Sequence, residues 1–172
     1  MANYLKNKTK NCVYYIEGGC NFLTKQLSDL TVHEENYNEI RAIMEQEPYA
    51  QFLGMKLTEF GAGTAEAELV VTETMLNTHK TVHGAILFSL ADYVFAAASN
   101  SYGKTAVGVT TSMNFLSAGF LGEKITAVAS EVKRNHKLAW YKIDVSNEKE
   151  LLATMEAMVY RKSQYFVNTS LE

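Results

Sequence analysis

Six segments of the chain have strand character, and several of them alternate between hydrophobic and polar residues, which is the pattern of strands with one buried face. In the last segment, for example, Leu151, Ala153, Met155, Ala157 and Val159 fall on one side. Glycine-rich or polar turn signals separate several of these segments. The predicted strands cover residues 55–60, 64–72, 106–116, 124–134, 139–145 and 151–161.

Two further segments show the spacing of three and four residues that is typical of an amphipathic helix. The first begins at Asn36 and ends at Pro48, and the second runs from His83 to Tyr102, where Gly103 is the expected stop. The second carries one broad apolar face. We therefore predict an α+β domain in which a curved antiparallel sheet wraps around one long central helix. The sheet would keep an exposed edge or face that a homodimer could cover.

The chain of 172 residues is long enough for one such domain with short additions at its ends. Residues 1–35 are polar and lack sustained periodicity, and Gly18-Gly19 interrupts any element there. We interpret them as a loosely ordered N-terminal extension, with a dimer arm or lid as the alternative. Residues 36–163 form the predicted domain, and residues 164–172 a C-terminal tail.

Composition and sequence patterns restrict which partners the protein could bind and in which compartment it could act. A formal net charge of −3 leaves no excess of positive charge for binding nucleic acid. The long apolar segment is interrupted by Asp92, so it is interpreted as a buried helix and not as a membrane span. The N-terminus lacks the pattern of a secretion signal, and Cys12 and Cys20 form neither a CxxC pair nor a disulfide framework. We expect a cytoplasmic protein with free thiols and with no nucleic-acid or membrane partner.

The main chemical signal is an acidic residue in the middle of the apolar helix. Asp92 follows His83 by nine positions, so it would lie nearly opposite on the helix and about 13 Å along it. One helix cannot bring both residues to one substrate atom, whereas two copies of the chain could share a site. As a carboxylate, Asp92 would activate a water or attack an acyl carbon itself. The alternative is that Asp92 simply faces solvent.

The start of the same helix offers a hydrogen-bond donor. The first N–H groups of a helix have no internal partner, so the Gly84 amide could polarise a substrate carbonyl, and glycine leaves room for its approach. Acyl transfer needs such a donor where negative charge develops. His79 and His83 have the spacing of metal ligands, but no third ligand follows at a matched position, and we predict no metal.

A basic hairpin tip contains Arg134, His136 and Lys137. It is either solvated or suited to the phosphates of an elongated ligand, and the sequence favours neither interpretation.

The segment Asn77-Thr-His-Lys-Thr-Val-His-Gly-Ala85, followed by Ser89-Leu-Ala-Asp92, resembles the signature of the hotdog-fold acyl-CoA thioesterases of the phenylacetate-degradation (PaaI) type. The similarity spans residues 46–163. It implies hydrolysis of a coenzyme A thioester, with an arylacetyl or medium-chain acyl group, to a free acid and coenzyme A. It implies no cofactor beyond the coenzyme A of the substrate. It also implies homodimers that join their sheets and usually pair into homotetramers.

The resemblance also implies roles for individual residues. The catalytic carboxylate of the family falls on Asp92, and its carbonyl-polarising amide falls on Gly84, with His83 beside it. The loop asparagine that helps hold the water or the target of the carboxylate falls on Asn77. A strand hydroxyl near the attacking water falls on Thr110.

Substrate contacts are expected beside the glycine, at Val82 and Ala85, and at the basic hairpin tip. Ala85 is a departure, because the family usually has a second glycine there, and the extra methyl would narrow the acyl pocket or shift the helix start. One alternative function is a non-catalytic acyl-CoA-binding or regulatory hotdog module. Another is a hotdog hydratase, which generally needs a His–acid pair that His83 and Asp92 do not form on one chain.

Overall fold

The computed structural model describes residues 20–168, with side chains from Asp29 onward. The described part contains helices α1, α2 and α3, a short 3-10 turn at Glu73–Met75 and six strands. The helices are α1 (Cys20–Glu45), α2 (Pro48–Phe52) and α3 (Gly84–Asn100). The strands are β1 (Lys56–Gly61), β2 (Thr64–Val70), β3 (Lys104–Phe115), β4 (Lys124–Arg134), β5 (Leu138–Ser146) and β6 (Leu151–Tyr165).

The strands form one antiparallel sheet in the order β1-β2-β4-β5-β6-β3. Every predicted strand is confirmed with shifts of a few residues at its ends, and the long helix is confirmed as α3. The predicted domain boundary at residue 163 falls inside β6, which continues to Tyr165.

Alternation along the strands places the core between the sheet and α3. On β5, Ala139, Tyr141 and Ile143 are buried, whereas Trp140 and Lys142 point to the outer face. Leu90, Val94, Phe95 and Ala98 of α3 pack against the buried face, and the Phe95 and Tyr141 rings meet at 5.5 Å. Burying a large apolar side chain contributes roughly 1.5–3 kcal/mol, so this interface fixes the position of α3. The predicted curved sheet around one central helix is confirmed.

Strand β3 lies at one edge of the sheet and pairs with β6 on one side only. Large apolar side chains on this edge strand are exposed, with Val107 at 44% and Val109 at 53%. An unpaired edge with exposed apolar side chains is a surface that a second strand can cover.

Helix α1 corrects the prediction for the N-terminal residues. It begins at Cys20, and Asn36 marks a kink with φ −115° and ψ 16°. The predicted helix start at Asn36 therefore coincides with this kink. A loosely ordered extension is wrong for residues 20–35, because Asp29 and Val32 are buried against the domain. Residues 1–19, including Cys12, lie outside the described residues, as does the side chain of Cys20.

A buried ion cluster holds α1 to the sheet. The Asp29 carboxylate accepts hydrogen bonds from Arg161, from Arg134 at 3.1 Å and from the Tyr165 hydroxyl at 3.0 Å, and it lies 3.5 Å from the Lys104 ammonium. Burial raises the pKa of Asp29, but the hydrogen bond and charge of Arg161, with the charge of Lys104 and the hydrogen bond of Tyr165, together outweigh that effect and hold the pKa below its usual value. The helix periodicity missed α1 because part of its buried face is charged.

None of the helices in the described residues is both long enough and apolar enough to cross a membrane.

Candidate active site

The site begins where α3 begins. His83 is the N-cap residue, and its Nδ1 accepts a hydrogen bond from the Ala85 N–H at 3.0 Å. Gly84 is the first helical residue, and within residues 20–168 its N–H donates to no other group. The structure thus leaves one helix-terminal donor open at the position that the sequence predicts.

The loop before the helix is organised by Asn77. Its side-chain oxygen accepts from the His79 N–H at 2.8 Å and from the Thr81 N–H at 3.2 Å, and its amide nitrogen donates to the Thr81 hydroxyl at 2.8 Å. Lys80, at φ 62°, makes the sharp turn inside this loop. An asparagine that bonds to the backbone two and four residues ahead fixes the loop conformation. The hydrogen bonds of Asn77 therefore fix the conformation of the loop that leads to Gly84.

A cavity of about 370 Å³ lies beside the start of α3. Its lining includes Asn77, Thr81, Val82, Gly84 and Phe115. Val82 is buried and its N–H donates to the Gly119 carbonyl at 2.8 Å, while Ala85 is exposed and does not line the cavity. The structure therefore brings Asn77, Val82 and Gly84 together.

Asp92 lies elsewhere on the helix. It is eight residues after Gly84, a rise of ~12 Å, so one chain does not bring the carboxylate and the amide to one point. The side chain reaches the surface and has no hydrogen-bond donor or cation beside it in the described part of the chain. The surrounding protein still displaces water from the carboxyl, and this desolvation raises the pKa of Asp92. A carboxylate without a stabilising partner is a stronger base.

Helix α2, which the sequence analysis missed, covers part of the α3 face that carries Asp92. The Tyr49 hydroxyl of α2 lies 3.4 Å from the Ser89 hydroxyl, one turn before Asp92. Just before α2, Glu47 is half-buried, and burial together with the negative charge of Asp92 raises its pKa. Pro48 could have indicated this helix, because proline is favoured at the first helical position as well as after a helix end.

Thr110 does not lie on the α3 side of the sheet. It pairs with Met158, which pairs in turn with Trp140, and all three line a cavity on the outer face. Directly paired residues of antiparallel strands share a face. Within one chain, the structure therefore does not place the Thr110 hydroxyl beside the Asp92 carboxylate.

The basic hairpin tip divides into a buried and an exposed part. The prediction that Arg134 binds substrate is wrong for the described structure, because its guanidinium is buried against Asp29 and Glu131 and stacks 4.0 Å from the Tyr102 ring. His136 and Lys137 are exposed. The tip lies at the far end of α3 from Gly84, so only a second copy could bring it to that site.

Among the side chains that the structure describes, those of residues 29–168, no group of three His, Cys, Asp or Glu could hold a metal ion.

Comparisons with known proteins agree with this geometry. A model of the Thioesterase superfamily matches residues 79–154. The acyl-coenzyme A thioesterase PaaI of Escherichia coli is 35% identical over 114 residues, which cover 66% of this chain and 81% of that relative. A protein of Archaeoglobus fulgidus that carries an esterase name is 40% identical over 121 residues, covering 70% of this chain and 79% of that protein.

A solved structure, that of the Escherichia coli PaaI protein from the phenylacetic acid degradation operon, has a TM-score of 0.72 at 31% identity. It covers 79% of this chain and 97% of that one. The fold and these relatives together define a thioester hydrolase whose sheet wraps around one long helix. The chain belongs to the thioesterase superfamily and, within it, to the PaaI-like hotdog thioesterases. The predicted resemblance, fold and enzyme class are confirmed.

Proposed function

We propose that this protein hydrolyses an acyl-CoA thioester, with an arylacetyl or medium-chain acyl group, to a free acid and coenzyme A. The observation that carries the proposal is the open N–H of Gly84 at the start of α3. The Escherichia coli relative, an acyl-coenzyme A thioesterase by name, supports the substrate class.

In the proposed mechanism, the Gly84 N–H of one copy donates a hydrogen bond to the thioester carbonyl oxygen. Negative charge grows on that oxygen as the carbonyl carbon is attacked, and a fixed amide donor stabilises it. Asp92 of a second copy either takes a proton from the attacking water or attacks the carbon itself, in which case water then hydrolyses the resulting anhydride. The carbon–sulfur bond breaks, and coenzyme A leaves as its thiolate or thiol.

The remaining residues of the site would position these two groups. His83 caps the helix through the Ala85 N–H and so keeps the Gly84 N–H available. Asn77 fixes the loop and has one further amide hydrogen for the substrate or water. Val82, Ala85, His136 and Lys137 are candidate substrate contacts.

A homodimer is part of the proposal because Gly84 and Asp92 are separated along one helix. The exposed edge strand β3 offers a surface where two sheets could join, and dimers would pair into a homotetramer. We further propose a cytoplasmic location and catalysis without a metal or other cofactor, so that turnover survives chelation by EDTA.

The substitution Asp92→Ala tests the proposal. We expect it to abolish thiol release from phenylacetyl-, benzoyl- and hexanoyl-CoA while the circular dichroism spectrum stays unchanged, because Asp92 is exposed and unpaired. Glu39→Ala, at an exposed acidic residue of α1, is the matched control and should keep full activity. Unchanged turnover in Asp92→Ala would overturn the mechanism. Tight binding of acyl-CoA without thiol release from the unmodified protein would instead support a non-catalytic module.

A further inference from the structure

A third cavity lies along the part of α3 that follows Asp92, and it shares no lining residue with the Gly84 cavity. It has a volume of about 530 Å³, within the usual range of ligand pockets, and it lies between the end of α1, the start of α2 and the α3 face that continues from Asp92. Ala96, one helical turn beyond Asp92, is in its wall. The cavity wall thus begins one helical turn from Asp92, within reach of an acyl group whose carbonyl carbon lies at Asp92.

The walls of this cavity are mainly apolar, through Ile43, Met44, Pro48, Ala96 and Phe166. The amide of Asn100 also lines it but is already bonded, to the Ala96 carbonyl at 3.0 Å and the Ala106 N–H at 2.9 Å. Gln46 and Thr105 also line the cavity, so its wall accepts hydrocarbon and presents a few neutral polar groups beside one carboxylate, that of Glu47.

Among the described residues that line the cavity, Glu47 alone is charged. Its half-buried carboxylate has no ion-pair or hydrogen-bond partner within the described range. The cation of the neighbouring α1 segment, Arg41, is engaged with Glu45, Tyr37 and the Leu57 carbonyl. Glu47 therefore gives the cavity a negative charge that nothing nearby neutralises.

From this arrangement we infer that Glu47 is a specificity-determining residue that excludes acyl-CoA substrates with a carboxylate at the far end of the acyl chain. Two carboxylates in a partly desolvated pocket repel each other more strongly than they would in water. A neutral acyl group has no such penalty, and an acyl group with a terminal ammonium would gain an attraction. The inference rests on the proposed function, and it specifies which class of acyl group the same site accepts.

The test compares three thioesters of similar length: hexanoyl-CoA, 5-carboxypentanoyl-CoA and 6-aminohexanoyl-CoA. The two charged substrates both lose solvation in the cavity, so the ratio of their kcat/KM values isolates the sign of the charge in the wall. For the unmodified protein we expect the kcat/KM of the amino substrate to exceed that of the carboxy substrate at least about tenfold, because the carboxylate in the wall attracts one terminus and repels the other. Glu47→Gln should bring this ratio close to one, and Glu47→Lys should reverse it.

Glu39→Gln removes the same charge from an exposed site on α1 and should leave the ratio unchanged. The inference is overturned if the unmodified protein hydrolyses both charged substrates equally, or if the ratio is the same in Glu47→Gln. If the unmodified protein hydrolyses hexanoyl-CoA but shows no charge preference, the inference fails and the proposed function stands. If no thioester, including hexanoyl-CoA, is hydrolysed, the proposed function itself fails.

Discussion

At the scale of single residues, two N–H groups at the start of α3 differ in whether they have a hydrogen-bond partner. The His83 side chain satisfies the Ala85 N–H, which stabilises the helix in the way N-cap residues do. The Gly84 N–H has no hydrogen-bond partner among the described residues, and Gly84 lines a cavity. The His83 side chain therefore supports the helix start, while the neighbouring Gly84 amide is available for the proposed contact with substrate.

Replacing Gly84 with proline removes this N–H with little cost to the helix, because proline is accepted at the first helical position. His83, at φ −64° and ψ 134°, already has the extended conformation that precedes proline. We expect kcat to fall about 10²–10³-fold, as for the loss of one oxyanion donor. The measurement is steady-state thiol release with hexanoyl-CoA.

The matched control is Gly84→Ala, which keeps the N–H and adds only a methyl group. The added Cβ would lie 3.2 Å from the ring of Phe115, which is exposed and can shift. Equal activities of the alanine and proline variants would show that the amide hydrogen has no role in turnover.

The residues of the site were predictable from the sequence where local patterns determine them. Gly84 and Asn77 depend on a helix start and its loop, and both lie where the motif places them. Arg134 was not predictable, because its partner Asp29 is 105 residues away along the chain. Thr110 faces outward after a bulge between Gly108 and Thr110, and one inserted residue reverses the side-chain alternation.

At the scale of elements, α1 is held to the sheet by the Asp29 carboxylate, which contacts two arginines, a lysine and a tyrosine. Removing one member of a buried ion pair leaves the other charges without compensation. We therefore expect Asp29→Ala to lower the free energy of unfolding by about 3–5 kcal/mol. Urea denaturation followed by circular dichroism measures the change, and Glu39→Ala, on the exposed side of α1, should leave it within about 0.5 kcal/mol.

The same cluster makes a pH prediction. The pKa of Asp29 is lower in the folded protein than in the unfolded chain, so the unfolded state binds more protons in the interval between the two values. The contribution of Asp29 to stability is complete above the unfolded pKa and is lost as the pH falls through the folded one. Urea midpoints measured from pH 7 down to pH 3 should decline less steeply for Asp29→Asn than for the unmodified protein. Parallel declines would contradict the lowered pKa.

The elements themselves were predictable to different degrees. Alternation located most of the strands because each buries one face against α3, so the pattern and the packing have the same cause; β3 differs, since most of its residues are exposed. The sequence pattern did not predict the N-terminal part of helix α1, because its contact with the domain includes Asp29 and His33. Sequence patterns assign such polar residues to the surface. His33 is buried, and its Nδ1 lies 2.7 Å from the Ser101 carbonyl. Only the folded arrangement supplies the partners that make such burial favourable.

At the scale of the whole molecule, the separation of Gly84 from Asp92 along α3 permits a test by mixing subunits. Each intact site in the proposed dimer needs Gly84 from one copy and Asp92 from the other. The variants Gly84→Pro and Asp92→Ala should each be inactive alone. In a mixed dimer, however, the Asp92→Ala copy supplies Gly84 and the Gly84→Pro copy supplies Asp92, which restores one of the two sites.

Equal amounts of the two variants, unfolded together and refolded, pair at random. Half of the dimers are then mixed and have one intact site of two, so we expect about a quarter of the unmodified activity to return. Mixing the native variants without exchange of subunits is the control and should restore nothing. If both groups acted within one chain, every chain in the mixture would lack one of them. Refolded mixtures would then stay inactive, and the shared site would be excluded.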